Sequence, residues 1–210
     1  MKFYDCESAP SPRRVRIFLA EKGIEIPRVQ VDLAHGEQLE PEFLKLNPEA
    51  TVPVLQLDSG ACLTQVNAIC LFLEEQFEDS PRLLGQTAEQ RALIWSSSLG
   101  IEQQLLMGIA ESFRNHTKGM RNRALPGPLS LEQIPALVPR GRKRVQYYMG
   151  VLDEQLQSSD FVAGDNYSMA DITAQVAVDF AAWIKLPIST EHHALRDWHK
   201  RVSARSSAAA

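Results

Sequence analysis

The chain has 210 residues, 44% of them hydrophobic and 23% charged, with a net charge of −4 and a pI near 5.8. That is enough apolar chain for one large domain or two small ones, and the mild negative charge supplies no field that would draw it to nucleic acid or an anionic membrane. No apolar run approaches the ~20 residues of a membrane span, and the N-terminus lacks the charged-then-apolar pattern of a signal peptide, so a cytoplasmic location is expected.

Lys2 to Cys6 is short and apolar enough for a strand, and Glu7 to Pro12 carries turn chemistry. A helix follows, with Val15, Ile17, Phe18 and Leu19 as its buried stripe and Lys22-Gly23 as its stop. Ile26 to Leu33 alternates as a second strand, and His35 to Leu46 reads as an irregular or helical connection ending at Asn47-Pro48. Val54 to Leu57, the turn Asp58-Ser59-Gly60 and Ala61 to Thr64 make a hairpin. Gln65 to Phe77 is then a helix with Ile69, Phe72, Leu73 and Phe77 on one face.

After Glu78-Asp79-Ser80-Pro81 no further strand pattern appears, which divides the chain into an α/β domain over 1–79, a linker over 80–86 and an all-helical domain over 87–210. Thr87 to about His116 reads as one long helix, and Leu137 or Val138 to Ser158 as another. Ser168-Met169-Ala170-Asp171 has capping-box spacing and opens a helix through Trp183; Glu191 to Arg205 is the last. The basic cluster Arg140, Arg142, Lys143 and Arg144 is expected to be a solvated helix face. Cys6, Cys62 and Cys70 have no metal-ligand spacing and leave an odd thiol in any disulfide scheme, so reduced structural thiols and no metal are expected.

Two segments carry chemistry. A proline opening an apolar run cannot donate to a central ladder, so Pro53 in Val52-Pro53-Val54-Leu55 marks an edge or a bend. A cis bond there would turn the N–H and C=O of Val52 outward, where they can pair with an extended peptide. Leu63 to Ile69 then closes a strand and opens a helix, whose first N–H groups attract a carboxylate. Together they form a candidate peptide-binding site.

Over nearly its whole length the chain resembles a cytosolic glutathione S-transferase of bacterial type. The resemblance is carried by Arg14 to Ile24, Phe43-Leu44-Lys45-Leu46-Asn47-Pro48, Val52-Pro53-Val54-Leu55, Ala68 to Glu75, and Tyr167-Ser168-Met169-Ala170-Asp171-Ile172, in this order. It implies a thioredoxin-like N-terminal domain, an all-α C-terminal domain, a cis peptide before Pro53, a homodimer, and glutathione as co-substrate.

Carried over residue by residue, the resemblance sets the cysteinyl backbone of glutathione against Val52, with Pro53 beside it, and the γ-glutamyl group against Gln65 and Val66. Val66 stands where the family has a serine, so one side-chain hydrogen bond to the carboxylate is lost, worth roughly 1.5–3 kcal/mol. Asn67 is a replacement donor. For the glycyl carboxylate the candidates are Gln38, Thr51, His35 and Lys45. The position that holds a catalytic serine or cysteine in relatives is Ala9, and Tyr4 lies one residue from the tyrosine position and faces the other way by strand alternation. Ser11 and Ser8 are therefore the catalytic candidates, Ser11 serving equally as the N-cap ahead of Pro12. An electrophile pocket is expected between the domains, from Pro10, Leu106, Met107 and Phe113, with Tyr147 and Trp183 as further candidates. Three functions fit: conjugation of glutathione to a hydrophobic electrophile, non-catalytic ligand binding or regulation on the same fold, and glutathione-dependent disulfide or peroxide reduction.

Overall fold

The computed structural model describes residues 1–210 and divides into two units, Met1–Arg82 with Pro126–Leu129 and Ala210, and Leu83–Leu125 with Ser130–Ala209. In the first unit, strands β1 (Lys2–Asp5), β2 (Arg28–Gln30), β3 (Val54–Gln56) and β4 (Cys62–Thr64) form one sheet in the order β2-β1-β3-β4. Helix α1 (Pro10–Lys22) carries the chain back between β1 and β2, so these two pair in parallel, Phe3 opposite Arg28. The remaining pairs are antiparallel, with Leu55 between Phe3 and Leu63. A 3-10 turn at Glu37–Leu39 and the short α2 (Pro41–Leu44) lead to β3, and α3 (Val66–Gln76) follows β4. This is the expected thioredoxin-like arrangement.

β2 is shorter than the alternation from Ile26 to Leu33 implied. As an edge strand it has a partner on one side only and its side chains are exposed, while Val31 and Leu33 leave the ladder to pack with Tyr4, Phe43 and Val54. α1 ends where its sequence says: Gly23 is left-handed (φ 66°) and its N–H returns to the carbonyls of Leu19 and Ala20. The core under α1 and α3 is Phe3, Ile17, Phe18, Leu55, Ile69 and Leu73, all fully buried. In α3 the buried stripe is Val66, Ile69, Cys70 and Leu73, with Phe72 and Phe77 only half-buried, so the inward face is rotated toward Val66 from the expected one. At the seam of α1 and α3, Lys22 Nζ donates to Glu74 Oε2 at 2.7 Å, both side chains out of water, and to the Pro81 carbonyl at 2.9 Å.

The second unit holds α4 (Ala88–Ile101), α5 (Met107–His116), α6 (Leu137–Leu156), α7 (Met169–Ala181) and α8 (His193–Ser203). The expected single helix from Thr87 to His116 contains a π-helical turn, Glu102–Leu106, between α4 and α5. Thr87 caps α4 reciprocally with Gln90. Asp171 is more than a cap: Oδ1 accepts from Val162 N–H and Trp198 Nε1–H, each at 2.9 Å, and Oδ2 from Ser168 N–H at 3.0 Å and Ser168 Oγ at 3.1 Å. Burial pushes its carboxyl pKa up, while these donors pull the other way. α7 is buried on all sides except at Asp179, which makes it the axis of this unit. α5 and α6 touch backbone to backbone, since a Cβ on Gly141 would stand 2.5 Å from the Gly108 carbonyl.

The basic cluster is not a free solvated face. Arg140 holds Glu111 with two bonds of 3.0 and 2.7 Å, while Arg142 and Arg144 donate to the carbonyls of Ile184 and Gln103. Guanidinium forks tie α6 to its neighbours here, which a charge run in sequence does not reveal.

Candidate functional site

The Val52-Pro53 bond is cis. The ladder begins two residues later, where Val54 pairs with Tyr4 and Thr64, and neither the N–H nor the C=O of Val52 is bonded within the protein. The preceding loop is built on Asn47, which is 1% exposed. Its Nδ2 donates to the Thr51 carbonyl at 2.8 Å and Thr51 Oγ1 at 3.0 Å, and its Oδ1 accepts the Glu49 N–H at 3.0 Å. The Asn47 carbonyl takes the Ala50 N–H at 3.0 Å, and Ala50 is left-handed (φ 52°). Thr51 therefore keeps a hydroxyl proton to donate.

At the start of α3, Gln65 is the N-cap at φ 71°, and the first helical bond runs from Ile69 N–H to the Gln65 carbonyl at 3.1 Å. The N–H groups of Val66, Asn67 and Ala68 lie ahead of it in the first turn, where the helix dipole favours an acceptor. The Val66 side chain is 4% exposed and turns into the core, so this residue can offer only its N–H. Asn67 is half-buried, and Gln65 is exposed with its Nε2 donating to Glu49 Oε2 at 3.1 Å.

At the start of α1 the expected N-cap role of Ser11 is overturned. Ala9 is the N-cap, in extended conformation (φ −87°, ψ 135°), and Pro10, Ser11 and Pro12 are the first three helical residues. Of two prolines in alternate positions the helix puts the earlier one at N1, where its missing N–H costs nothing. Neither proline can donate and Arg13 N–H bonds the Ala9 carbonyl at 3.3 Å, so Ser11 alone brings an N–H to this helix start, together with its hydroxyl. Ser11 Oγ accepts from Arg14 Nη2 at 3.4 Å. Ser8 is exposed, with its Oγ 3.6 Å from Cys6 Sγ.

The loop bearing these serines is held by Arg16, which bonds Asp5 Oδ1 at 2.6 Å and the carbonyls of Cys6 and Glu7 at 3.3 and 2.9 Å. Asp5 thus serves a buried ion pair. Tyr4 faces away from α1, as strand alternation requires, with its hydroxyl 3.4 Å from Gln56 Oε1 and its ring edge-on to Phe43.

Other candidates scatter. Gln38 is 5% exposed, and its Oε1 has no partner in the protein. His35 is exposed and bonded to Asp32 at 2.6 Å, an interaction that raises the pKa of the imidazole and lowers that of the carboxylate. Lys45 is paired with Glu42. In the second unit Leu106 is buried in the core cluster at 8% exposure, whereas Met107 is 49% exposed. Phe113 packs edge-on against Phe180 and Trp183, and Tyr147 is exposed. In the first unit Pro10 is half-buried. Cys70 is fully buried, which pushes its thiol pKa far up and makes it inert. Sequence reasoning missed Glu49 and Arg14 beside these residues; no spacing rule links Glu49 to a partner sixteen residues on.

Comparison with known proteins gives a consistent picture. Residues 9–76 match the family described as Glutathione S-transferase, N-terminal domain, and residues 114–206 that described as Glutathione S-transferase, C-terminal domain. The chain is 36% identical over 210 residues to Glutathione S-transferase 2 of Saccharomyces cerevisiae, covering 99% of this chain and 87% of the yeast protein. It is 29% identical over 216 residues to the Disulfide-bond oxidoreductase YfcG of Escherichia coli, covering 96% and 90%. The crystal structure of a glutathione S-transferase domain-containing protein from Marinobacter aquaeolei is similar with a TM-score of 0.90 at 39% identity, covering 99% of each chain.

Proposed function

The chain belongs to the glutathione S-transferase family, and from that premise we propose how its first unit holds glutathione and prepares the thiol. The protein is a glutathione S-transferase, joining the glutathione sulfur to a hydrophobic electrophile. The observation that carries the site is the unpaired backbone of Val52, beside Pro53 and ahead of the ladder. An extended cysteinyl residue satisfies both groups as an added strand would. The γ-glutamyl carboxylate is met by the N–H of Val66 at the start of α3, where the helix dipole adds about 0.3–1 kcal/mol. The Thr51 hydroxyl donates to the glycyl carboxylate; Gln38 joins it only through Nε2, because an amide oxygen repels a carboxylate.

Ser11 is the group for the sulfur. Its hydroxyl donates to the thiolate at a helix start, where positive potential lowers a thiol pKa, and the Arg14 guanidinium behind its oxygen strengthens that donor. The thiolate then attacks the electrophilic carbon, a C–S bond forms, the leaving group departs with its electron pair, and the thiol proton goes to solvent. Met107 and Phe113 are the apolar side chains put forward to meet the electrophile. Titration calorimetry with glutathione tests the reading, and no binding up to ~10 mM overturns it. Ser11→Ala should reduce both the thiolate absorbance of bound glutathione and the rate with an aromatic halide.

A second reading, disulfide reduction, is favoured by the name of the E. coli relative; Ala9 offers no thiol, which argues against a mixed disulfide with the protein, so both thiols would come from glutathione. One glutathione thiolate attacks the disulfide and displaces the first thiolate, and a second attacks the glutathione sulfur of the mixed disulfide and displaces the other, yielding two thiols and oxidised glutathione. Parallel assays with an aromatic halide and a mixed disulfide separate the two. A homodimer in the cytoplasm belongs to the same proposal: Leu71 of α3 and Leu93 of α4 are exposed apolar side chains, and three free cysteines suit a reducing compartment. Sedimentation should give twice the chain mass of 23.5 kDa.

A further inference from the structure

We propose that Gln30, on the edge strand β2, is a positioning residue for the thiol chemistry: together with Asp5 and Arg16 it fixes the turn Cys6–Ala9, and through that turn the place of Ser11. This rests on the reading of Ser11 as the group that meets the sulfur.

The turn is closed by Ala9 N–H, which donates to the Cys6 carbonyl at 2.9 Å, and Glu7 and Ser8 are its central residues. Glu7 is held on both of its backbone groups: its N–H donates to Gln30 Oε1 at 3.0 Å, and its carbonyl accepts from Arg16 Nη2 at 2.9 Å. Both holders return to one carboxylate. Gln30 Nε2 donates to Asp5 Oδ2 at 2.9 Å, and Arg16 Nη1 to Asp5 Oδ1 at 2.6 Å. An ionised carboxylate only accepts, so the Gln30 amide must point its nitrogen at Asp5 and its oxygen at Glu7. The reversed amide would set oxygen against carboxylate and NH2 against N–H, so the side chain has one orientation.

The fold asks different things of the three residues. Asp5 is 1% exposed and Arg16 6%, and removing either strands a buried charge. Gln30 is exposed on a strand with a neighbour on one side only, so no packing requires an amide there, and both of its bonds serve the turn. Between Glu7 and Ser11 the chain has little slack: Ala9 caps α1, its carbonyl takes the Arg13 N–H at 3.3 Å, and the rings of Pro10 and Pro12 fix their own φ. A shift of the turn is therefore passed on to the Ser11 hydroxyl, whose hold on a thiolate depends on distance and direction.

The test compares wild type, Gln30→Met, Ser11→Ala and the double variant. Methionine keeps the length of the side chain and removes both bonds. With an aromatic halide at saturating glutathione, Gln30→Met should lower kcat about tenfold, with the KM for glutathione within about twofold. The thiolate absorbance of bound glutathione, followed against pH, should show a raised thiol pKa. The urea midpoint should fall by no more than about 1 M, so that the assays read folded protein. On the Ser11→Ala background the same substitution should change kcat by less than about twofold, because a residue that acts through Ser11 has nothing left to position. Equal losses on both backgrounds overturn the proposal, as do a raised KM with unchanged kcat, an unchanged pKa of the bound thiol, or a larger fall in the midpoint. An impaired Ser11→Ala beside a normal Gln30→Met removes Gln30 and leaves the Ser11 reading standing. If Ser11→Ala behaves as wild type, the Ser11 reading falls and this proposal with it.

Discussion

Val66→Thr separates two accounts of why a valine occupies the first position of α3. The exchange is close to isosteric and replaces one methyl by a hydroxyl. Val66 is 4% exposed and shares its buried face with Ile69, Cys70 and Leu73. Losing a buried methyl costs about 0.8 kcal/mol, and a hydroxyl buried without a partner costs about 1–3 kcal/mol. The substitution should therefore destabilise the fold by about 2–4 kcal/mol, which lowers the urea midpoint by about 1–2 M at the usual denaturant sensitivity. A side chain facing the ligand would act otherwise: a new donor to the γ-glutamyl carboxylate is worth about 1.5–3 kcal/mol, or roughly ten- to a hundredfold in Kd. The expected outcome is a lower urea midpoint with glutathione affinity within about twofold of wild type. Tenfold tighter binding with an unchanged midpoint would refute the inward placement of Val66.

Breaking the buried pair by Lys22→Met takes the Lys22 ammonium from the buried Glu74 carboxylate and should cost about 3–5 kcal/mol in urea unfolding, while Lys22→Met combined with Glu74→Leu should recover part of that loss. Asp171→Asn turns an NH2 toward at least one of the donors it now receives, costing about 2–4 kcal/mol and lowering Tm by about 5–15 °C in a thermal scan. The Arg140 fork holds the pKa of Glu111 below its ordinary value, so its contribution is present above the unfolded glutamate pKa and lost as pH falls through the lowered folded one. The Tm gap between wild type and Glu111→Gln should close as pH falls through that window; a gap that widens on acidification contradicts the assignment.

Periodicity was sufficient for the helices because their buried faces repeat: the stripe of α1 and the capping box at Ser168 are written in adjacent residues. β2 was overdrawn because alternation continues past the point where an edge strand loses its ladder, and Val31 and Leu33 are buried by loop packing instead. The start of α1 is ambiguous in sequence because Pro10 and Pro12 each suit a first helical position, and the structure takes the earlier. Val52, Pro53 and Gln65 are visible as strand and helix boundaries, whereas the π-helical turn Glu102–Leu106 leaves no mark in the apolar spacing. Glu49 was invisible for a different reason: its meaning comes from a long-range pairing, and nothing in Asn47-Pro48-Glu49-Ala50 marks it.

Asn47 cannot touch a ligand, yet it sets the backbone of the four residues that follow. Ordering a residue costs about 1–2 kcal/mol of chain entropy, and here that ordering is completed during folding, before any ligand arrives. The loop is therefore a preorganised template. Loosening it at Asn47 should appear in calorimetry as a larger entropic penalty on binding with the direct contacts intact, and in hydrogen exchange as faster exchange at Glu49 and Ala50.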